Sequence, residues 1–175
     1  VGSVPGQGSV FCLTIATRAD RPVVPLPEWN KDDSGEYELS SIDLSGKRIL
    51  YVEDQYDMQK LMQKIMHKVG AKVDLADNGK VGMEIALAAW KTGRPYDMLI
   101  VDRCMPVMDG ITAVTRLREQ GFAQPILLLS ANASNDREKC LAAGCSALLT
   151  KPVDRDMLLR MTHKFLSRQP AAQPV

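Results

Sequence analysis

Met98-Leu99-Ile100-Val101, an unbroken apolar run that ends on the carboxylate of Asp102, decides the fold. A short continuous apolar run bounded by turn formers reads as a strand buried on both faces. Gly93 and Pro95 close whatever precedes it. Behind it, Ile111, Val114 and Leu117 recur at helical spacing as far as Gly121. The same unit repeats outward in both directions. Lys72–Ala76 predicts a short strand, and Asn78 is placed to cap a helix running to about Lys91, with Val81, Ile85 and Ala88 or Ala89 facing inward. Before that, Arg48–Val52 predicts a strand. Met58, Leu61, Met62, Ile65, Met66 and Val69 then mark a helix stopped at Gly70. Toward the C-terminus, Ile126–Leu129 predicts a strand, Ser134–Ala143 a helix with Gly144 behind it, and Ala147–Leu149 the last strand. Asp154 to about Ser167 predicts the last helix, with Leu158, Met161 and Phe165 inward.

Five strands thus alternate with five helices. Right-handed crossovers turn such a chain into a parallel sheet covered on both faces, an open doubly wound α/β domain of flavodoxin-like class. Strand order 2-1-3-4-5 is one of the two common choices, and periodicity does not select between them.

Composition fits one ordinary domain with extra segments. The 175 residues are 45% hydrophobic and 25% charged, with a net charge of +1. That balance offers no broad attraction to nucleic acid or an anionic membrane surface, and no apolar run is long enough to span a bilayer. No signal peptide is visible, and a first residue of Val predicts a piece of a longer protein. Cys12, Cys104, Cys140 and Cys145 form no C-x-x-C pair, and His67 and His163 lie far from them, which argues against zinc and for reduced thiols in a cytoplasmic protein.

Ligands of open α/β sheets bind beyond the carboxyl ends of the strands. The residues after each predicted strand are therefore the candidate site. They are Glu53 and Asp54 after the first, Asp102 after the third, Ser130 after the fourth, and Thr150, Lys151 and Pro152 after the fifth. A lone Asp at a strand end is ordinarily a turn residue or cap, and a lone Glu-Asp pair a solvated surface. No hydrophobic pattern requires all of these at one edge. Three neighbouring carboxylates repel unless a cation sits among them, and oxygen-only ligands suit a hard ion such as Mg²⁺. A Mg²⁺ ion held by Asp54 and Asp102, with Glu53 nearby, would neutralise an incoming phosphoryl group, and Lys151 would offset further charge. The Ser130 hydroxyl could bond a phosphoryl oxygen, and Asp102 would be the in-line nucleophile.

These residues carry a family resemblance. Leu99-Ile100-Val101-Asp102-Arg103-Cys104-Met105-Pro106-Val107-Met108-Asp109-Gly110 resembles the acceptor segment of two-component receiver domains, an apolar strand followed by D-x-x-M-P-x-M-D-G. Tyr51-Val52-Glu53-Asp54 resembles the acidic pair of that family, Leu129-Ser130-Ala131 its switch hydroxyl segment, and Leu149-Thr150-Lys151-Pro152 its lysine segment. Together the motifs span residues 46–168. The resemblance implies strand order 2-1-3-4-5 and Mg²⁺ bound by Glu53, Asp54, Asp102 and the Cys104 backbone carbonyl. It also implies a cis peptide before Pro152 and a switch in which phosphorylation of Asp102 draws Ser130 inward. One position departs from the pattern. Leu148 stands where the family usually has Tyr or Phe, three residues before the lysine, and a leucine has no polar tip to swing inward or outward. The expectation is a receiver that mainly relays its phosphoryl group, with a muted conformational readout.

The N-terminal stretch Pro5-Gly6-Gln7-Gly8-Ser9-Val10-Phe11 resembles the last hairpin of a histidine-kinase ATP-binding domain, with a strand over Val10–Ile15. This divides the chain into residues 1–26, a largely disordered remnant of that domain; 27–45, a linker rich in Pro, Asp, Ser and Glu; 46–168, the receiver; and 169–175, a tail. A hybrid sensor histidine kinase, with the option of an inner-membrane anchor, is the parent this arrangement implies. The partners implied are a kinase dimerisation and phosphotransfer domain and a histidine-phosphotransfer protein, with no nucleic acid and no direct membrane contact. The fragment itself is expected to be no enzyme beyond phosphorylating its own aspartate. Exposed members of the Met58, Leu61, Met62 stripe are candidates for partner docking, although such stripes ordinarily face the core. Two other readings compete. One is a catalytically silent interaction module, disfavoured by the intact Asp102, Asp54, Ser130 and Lys151 set. The other is a Mg²⁺-dependent phosphohydrolase, disfavoured because Cys104 stands where the general acid of such enzymes is an Asp.

Overall fold

A computed structural model describes residues 2–3, 9–10 and 41–167. Within it, β1 is Arg48–Val52, α1 Tyr56–His67, β2 Lys72–Ala76, α2 Gly79–Lys91 and β3 Met98–Asp102. The remaining elements are α3 Gly110–Glu119, β4 Ile126–Ser130, α4 Ala133–Ala143, β5 Ala147–Thr150 and α5 Arg155–Ser167. The five strands pair in parallel in the order β2-β1-β3-β4-β5. The expected architecture and order therefore hold. Gly2–Ser3 and Ser9–Val10 form a separate antiparallel pair. The rest of the predicted Val10–Ile15 strand, the order of residues 11–40 and the tail all lie outside the described residues.

Period-two alternation sorts the central strands onto two cores. Ile49, Tyr51, Met98, Ile100, Leu127 and Leu129 face one way, against Met62 and Met66 of α1 and Leu158, Leu159 and Met161 of α5. Leu50, Val52, Leu99, Val101, Ile126 and Leu128 face the other, against Ala86 and Leu87 of α2, Val114 and Leu117 of α3, and Cys140 of α4. Burial on both faces is why β3 and β4 read as unbroken apolar runs.

Three expectations are corrected. In α2 Ile85 and Ala89 pack against the core as expected, but the fully buried residues are Gly79, Gly82, Ala86 and Leu87, while Val81 is 37% exposed and Ala88 is also exposed. A Cβ at Gly82 would lie 2.6 Å from a Val52 methyl, so the helix turns Gly82 toward the sheet to approach it closely, while Gly79 packs against the Met108 carbonyl in the loop before α3. In α1, Leu61 leaves the core and is 49% exposed. Finally, the compact body begins before Gly46. Ile42 and Leu44, within the predicted linker, are buried in the α1–α5 core, and the Leu44 amide donates to the Val69 carbonyl at 2.7 Å.

Candidate functional site

Asp102, Ser130 and Thr150 are the last residues of β3, β4 and β5. Each strand runs one residue past its apolar run, so the parallel ladder fixes the backbone of these positions. The Arg103 amide donates to the Leu129 carbonyl at 2.9 Å, and the Lys151 amide to the Ser130 carbonyl at 2.7 Å. The sheet's carboxyl edge therefore brings together Glu53, Asp54, Asp102, Ser130 and Lys151, the side chains singled out from sequence.

Carboxylate oxygens of Glu53, Asp54 and Asp102 all lie within 4.8 Å of one another. Glu53 is fully buried, Asp102 is 5% exposed and Asp54 faces solvent. The Lys151 ammonium sits 2.7 Å from Asp102 Oδ1 and 3.0 Å from Glu53 Oε2. Burial works against its charge, but hydrogen bonds to the two carboxylates and their negative charge outweigh this and hold the Lys151 pKa above its ordinary value. One cation against three carboxylates leaves the edge net negative. The donor set is all oxygen, with an exposed member, and suits a small hard cation such as Mg²⁺.

The surroundings hold these groups in place. The Tyr51 hydroxyl donates to Glu53 Oε2 at 2.9 Å, and burial together with the neighbouring carboxylates pushes that phenol far up. Gln59, buried on α1, donates to the Glu53 carbonyl at 2.7 Å and to Asp77 at 2.9 Å. The Cys104 amide donates to Asp102 Oδ2 at 3.2 Å. Asp109 caps α3 by accepting from the Thr112 amide. Gly110 permits the tight return of the loop, because a Cβ there would lie 2.2 Å from the Asp102 carbonyl oxygen. The Lys151–Pro152 peptide is cis, as the resemblance implies. Leu148 is half-buried against the α2–α4 core.

Ser130, 1% exposed, is not idle. Its hydroxyl donates to Asp136 Oδ2 in the first turn of α4 and accepts from the Asn132 amide at 3.0 Å. Asp136 is 4% exposed and is paired with Arg103 Nε at 2.7 Å. Burial raises the Asp136 pKa. The hydrogen bond from Ser130 and the close pairing with the Arg103 guanidinium more than reverse that and hold it below the usual carboxylate range. Sequence reasoning missed Tyr51, Gln59, Arg103 and Asp136.

Residues 49–163 match the response regulator receiver domain family. Among curated relatives, a two-component system protein A of Emericella nidulans is 34% identical over 91% of this chain and 24% of its own length. A probable histidine kinase 2 of Oryza sativa is 30% identical over 81% of this chain and 15% of its own length. The chain thus spans a quarter or less of these two relatives. Among solved structures, the receiver domain of a Pseudomonas aeruginosa sensor histidine kinase, with a magnesium ion coordinated in its active site cleft, is 33% identical. It superposes with a TM-score of 0.59 over 70% of this chain and 99% of its own.

Proposed function

The chain belongs to the response regulator receiver domain family, and from that premise we propose that Asp102 is its phosphoacceptor, within a phosphorelay. One observation carries the assignment. Asp102 closes the apolar β3 strand as a nearly buried carboxylate of the acidic cluster, and the Lys151 ammonium lies 2.7 Å from one of its oxygens. In this reading the Asp102 carboxylate attacks the phosphorus of a kinase phosphohistidine. The P–N bond breaks, its electron pair stays with the imidazole, and an acyl phosphate forms. Mg²⁺ would be held by Glu53, Asp54, Asp102 and the Cys104 carbonyl, and would supply charge neutralisation at the phosphoryl oxygens. Lys151 screens the carboxylates as the anion approaches, and Ser130 bonds a phosphoryl oxygen afterwards. The Cys104 amide and Lys151 orient the two Asp102 oxygens differently, so a productive oxygen is selected before the donor arrives.

The kinase-like names of the relatives support a hybrid histidine kinase as parent. In this reading the next acceptor is a histidine-phosphotransfer partner, docking near Leu61, the exposed member of the Met58, Leu61, Met62 stripe on α1. Among the described residues no helix is long and apolar enough to cross a membrane. The test is intact mass after incubation with a small-molecule phosphodonor, with and without Mg²⁺, for the wild type and Asp102→Asn. One base-labile phosphoryl group that needs both Mg²⁺ and Asp102 is the expected result. Equal labelling of the variant, or none in the wild type, would bring forward the reading as a silent interaction module.

A further inference from the structure

We propose that Asp136 is a positioning residue that holds the Ser130 hydroxyl in the resting state and competes with the phosphoryl group for its proton. This rests on the reading of Asp102 as acceptor and Ser130 as phosphoryl ligand. A serine hydroxyl has one proton to donate. Here that proton goes to a buried carboxylate on α4, and the Asn132 amide takes up acceptor capacity of the same oxygen. Ser130 therefore reaches a phosphoryl oxygen only by breaking a charge-assisted hydrogen bond. Such bonds are about twice as strong as neutral ones.

The arrangement makes that break feasible. Asp136 is also ion-paired with Arg103, so a carboxylate abandoned by Ser130 keeps a cationic partner and is not left bare in the interior. Arg103 immediately follows Asp102 in the chain, and its amide is pinned to β4. The two residues that hold Asp136 therefore come from the two strand ends that bear the acceptor and the switch hydroxyl. An Asp placed only to favour the start of α4 needs neither contact, nor burial to 4% exposure.

By linkage, whatever holds Ser130 toward Asp136 lowers affinity for a phosphoryl group that needs Ser130. The probe is beryllium trifluoride with Mg²⁺, a phosphoryl mimic for aspartate, titrated by NMR or fluorescence. Asp136→Asn, which keeps shape but weakens the bond, is expected to bind the mimic on the order of three- to tenfold more tightly. In a Ser130→Ala background the same substitution should change nothing. In the metal-free protein, Asp136→Asn should also speed hydrogen exchange at the Asn132 amide, which now bonds the held Ser130 oxygen. Should Asp136→Asn fail to fold, Asp136→Ser, shorter and uncharged, takes its place with the same expected sign. Unchanged or weaker affinity, or an equal gain with and without the Ser130 hydroxyl, overturns the inference alone. Failure of the wild type to take the mimic, or equal uptake by Asp102→Asn, overturns the acceptor reading and this inference with it.

Discussion

Replacing Asp54 by Asn should stabilise the metal-free protein and destabilise the magnesium-loaded one relative to wild type. Asp54 is the exposed member of the cluster, and its carboxylate oxygen lies within 4.8 Å of those of Glu53 and Asp102. Because it faces solvent, a water-like dielectric is the proper choice, and each such pair then costs about 0.9 kcal/mol. Two pairs give about 1.7 kcal/mol, of which Lys151, bonded to both partners, offsets roughly half. The asparagine keeps the shape and removes the charge, for a gain of about 1 kcal/mol. With a urea slope of roughly 1–3 kcal/mol/M, the unfolding midpoint in EDTA should rise by about 0.5 M. Bound Mg²⁺ reverses the order. At a hundredfold excess over its dissociation constant it stabilises wild type by about 2.7 kcal/mol, most of which the variant forgoes. The assay is urea unfolding of both proteins in EDTA and in saturating Mg²⁺, followed by circular dichroism. If Asp54→Asn is no more stable than wild type in EDTA, or if both respond equally to Mg²⁺, the repulsion argument for a cation site is wrong.

Leu44→Ala should cost about 2–5 kcal/mol in the same urea assay, because Leu44 is 2% exposed in the α1–α5 core; a cost below about 0.5 kcal/mol would place the start of the compact body after it. Gly110→Ala should lose stability by about 1–3 kcal/mol and slow labelling of Asp102, since the new Cβ would press on the backbone of the acceptor itself; wild-type labelling kinetics would contradict this. The Asp136 pKa is lowered in the folded chain, so its stabilisation is present above the unfolded value of about 3.9 and lost as pH falls through the folded one. The urea-midpoint advantage of wild type over Asp136→Asn should accordingly be flat from about pH 5 to 7 and disappear in stronger acid.

The fold was legible because a sheet buried on both faces leaves a simple trace, short apolar runs such as Ile126–Leu129 spaced by helical stripes. The candidate site was legible because such a sheet gathers its strand ends, and a carboxylate closing an apolar run stands out. The rest left weaker traces, for physical reasons. Gly82 carries no side chain to announce a buried face, so the apolar stripe of α2 takes in the exposed Val81 along with Ile85 and Ala89, which do pack against the core. Ile42 and Leu44 are two apolar residues in a polar stretch, too few to set a period. Tyr51 reads as one more apolar strand residue, and only the neighbouring Glu53 shows why its hydroxyl matters. Asp136 sits in the first turn of α4, where an acidic residue is ordinary. Nothing in the sequence pairs it with Ser130, six residues away, or with Arg103.

That missed contact bears on how a change at Asp102 could leave the site. The backbone at the three chemical strand ends is tied into the ladder, with Asp102 in register with Leu129 and Ser130 with Thr150. A strand shift at one of them would break bonds at its neighbour, so the freedom lies in side chains. On β5 the outward route is poor. Leu148 is half-buried against the α2–α4 core and has no polar side-chain atom with which to exchange partners. On α4 the route is built, since the proton Ser130 would give to a phosphoryl oxygen is the one it now gives to Asp136. Moving it frees a carboxylate in the first turn of a helix whose N-cap bond, Asn135 amide to Asn132, is 3.4 Å long. Spectral changes on phosphorylation should therefore concentrate over residues 132–140 and fade at Leu148, and an equally large response around Leu148 would show that the leucine transmits after all.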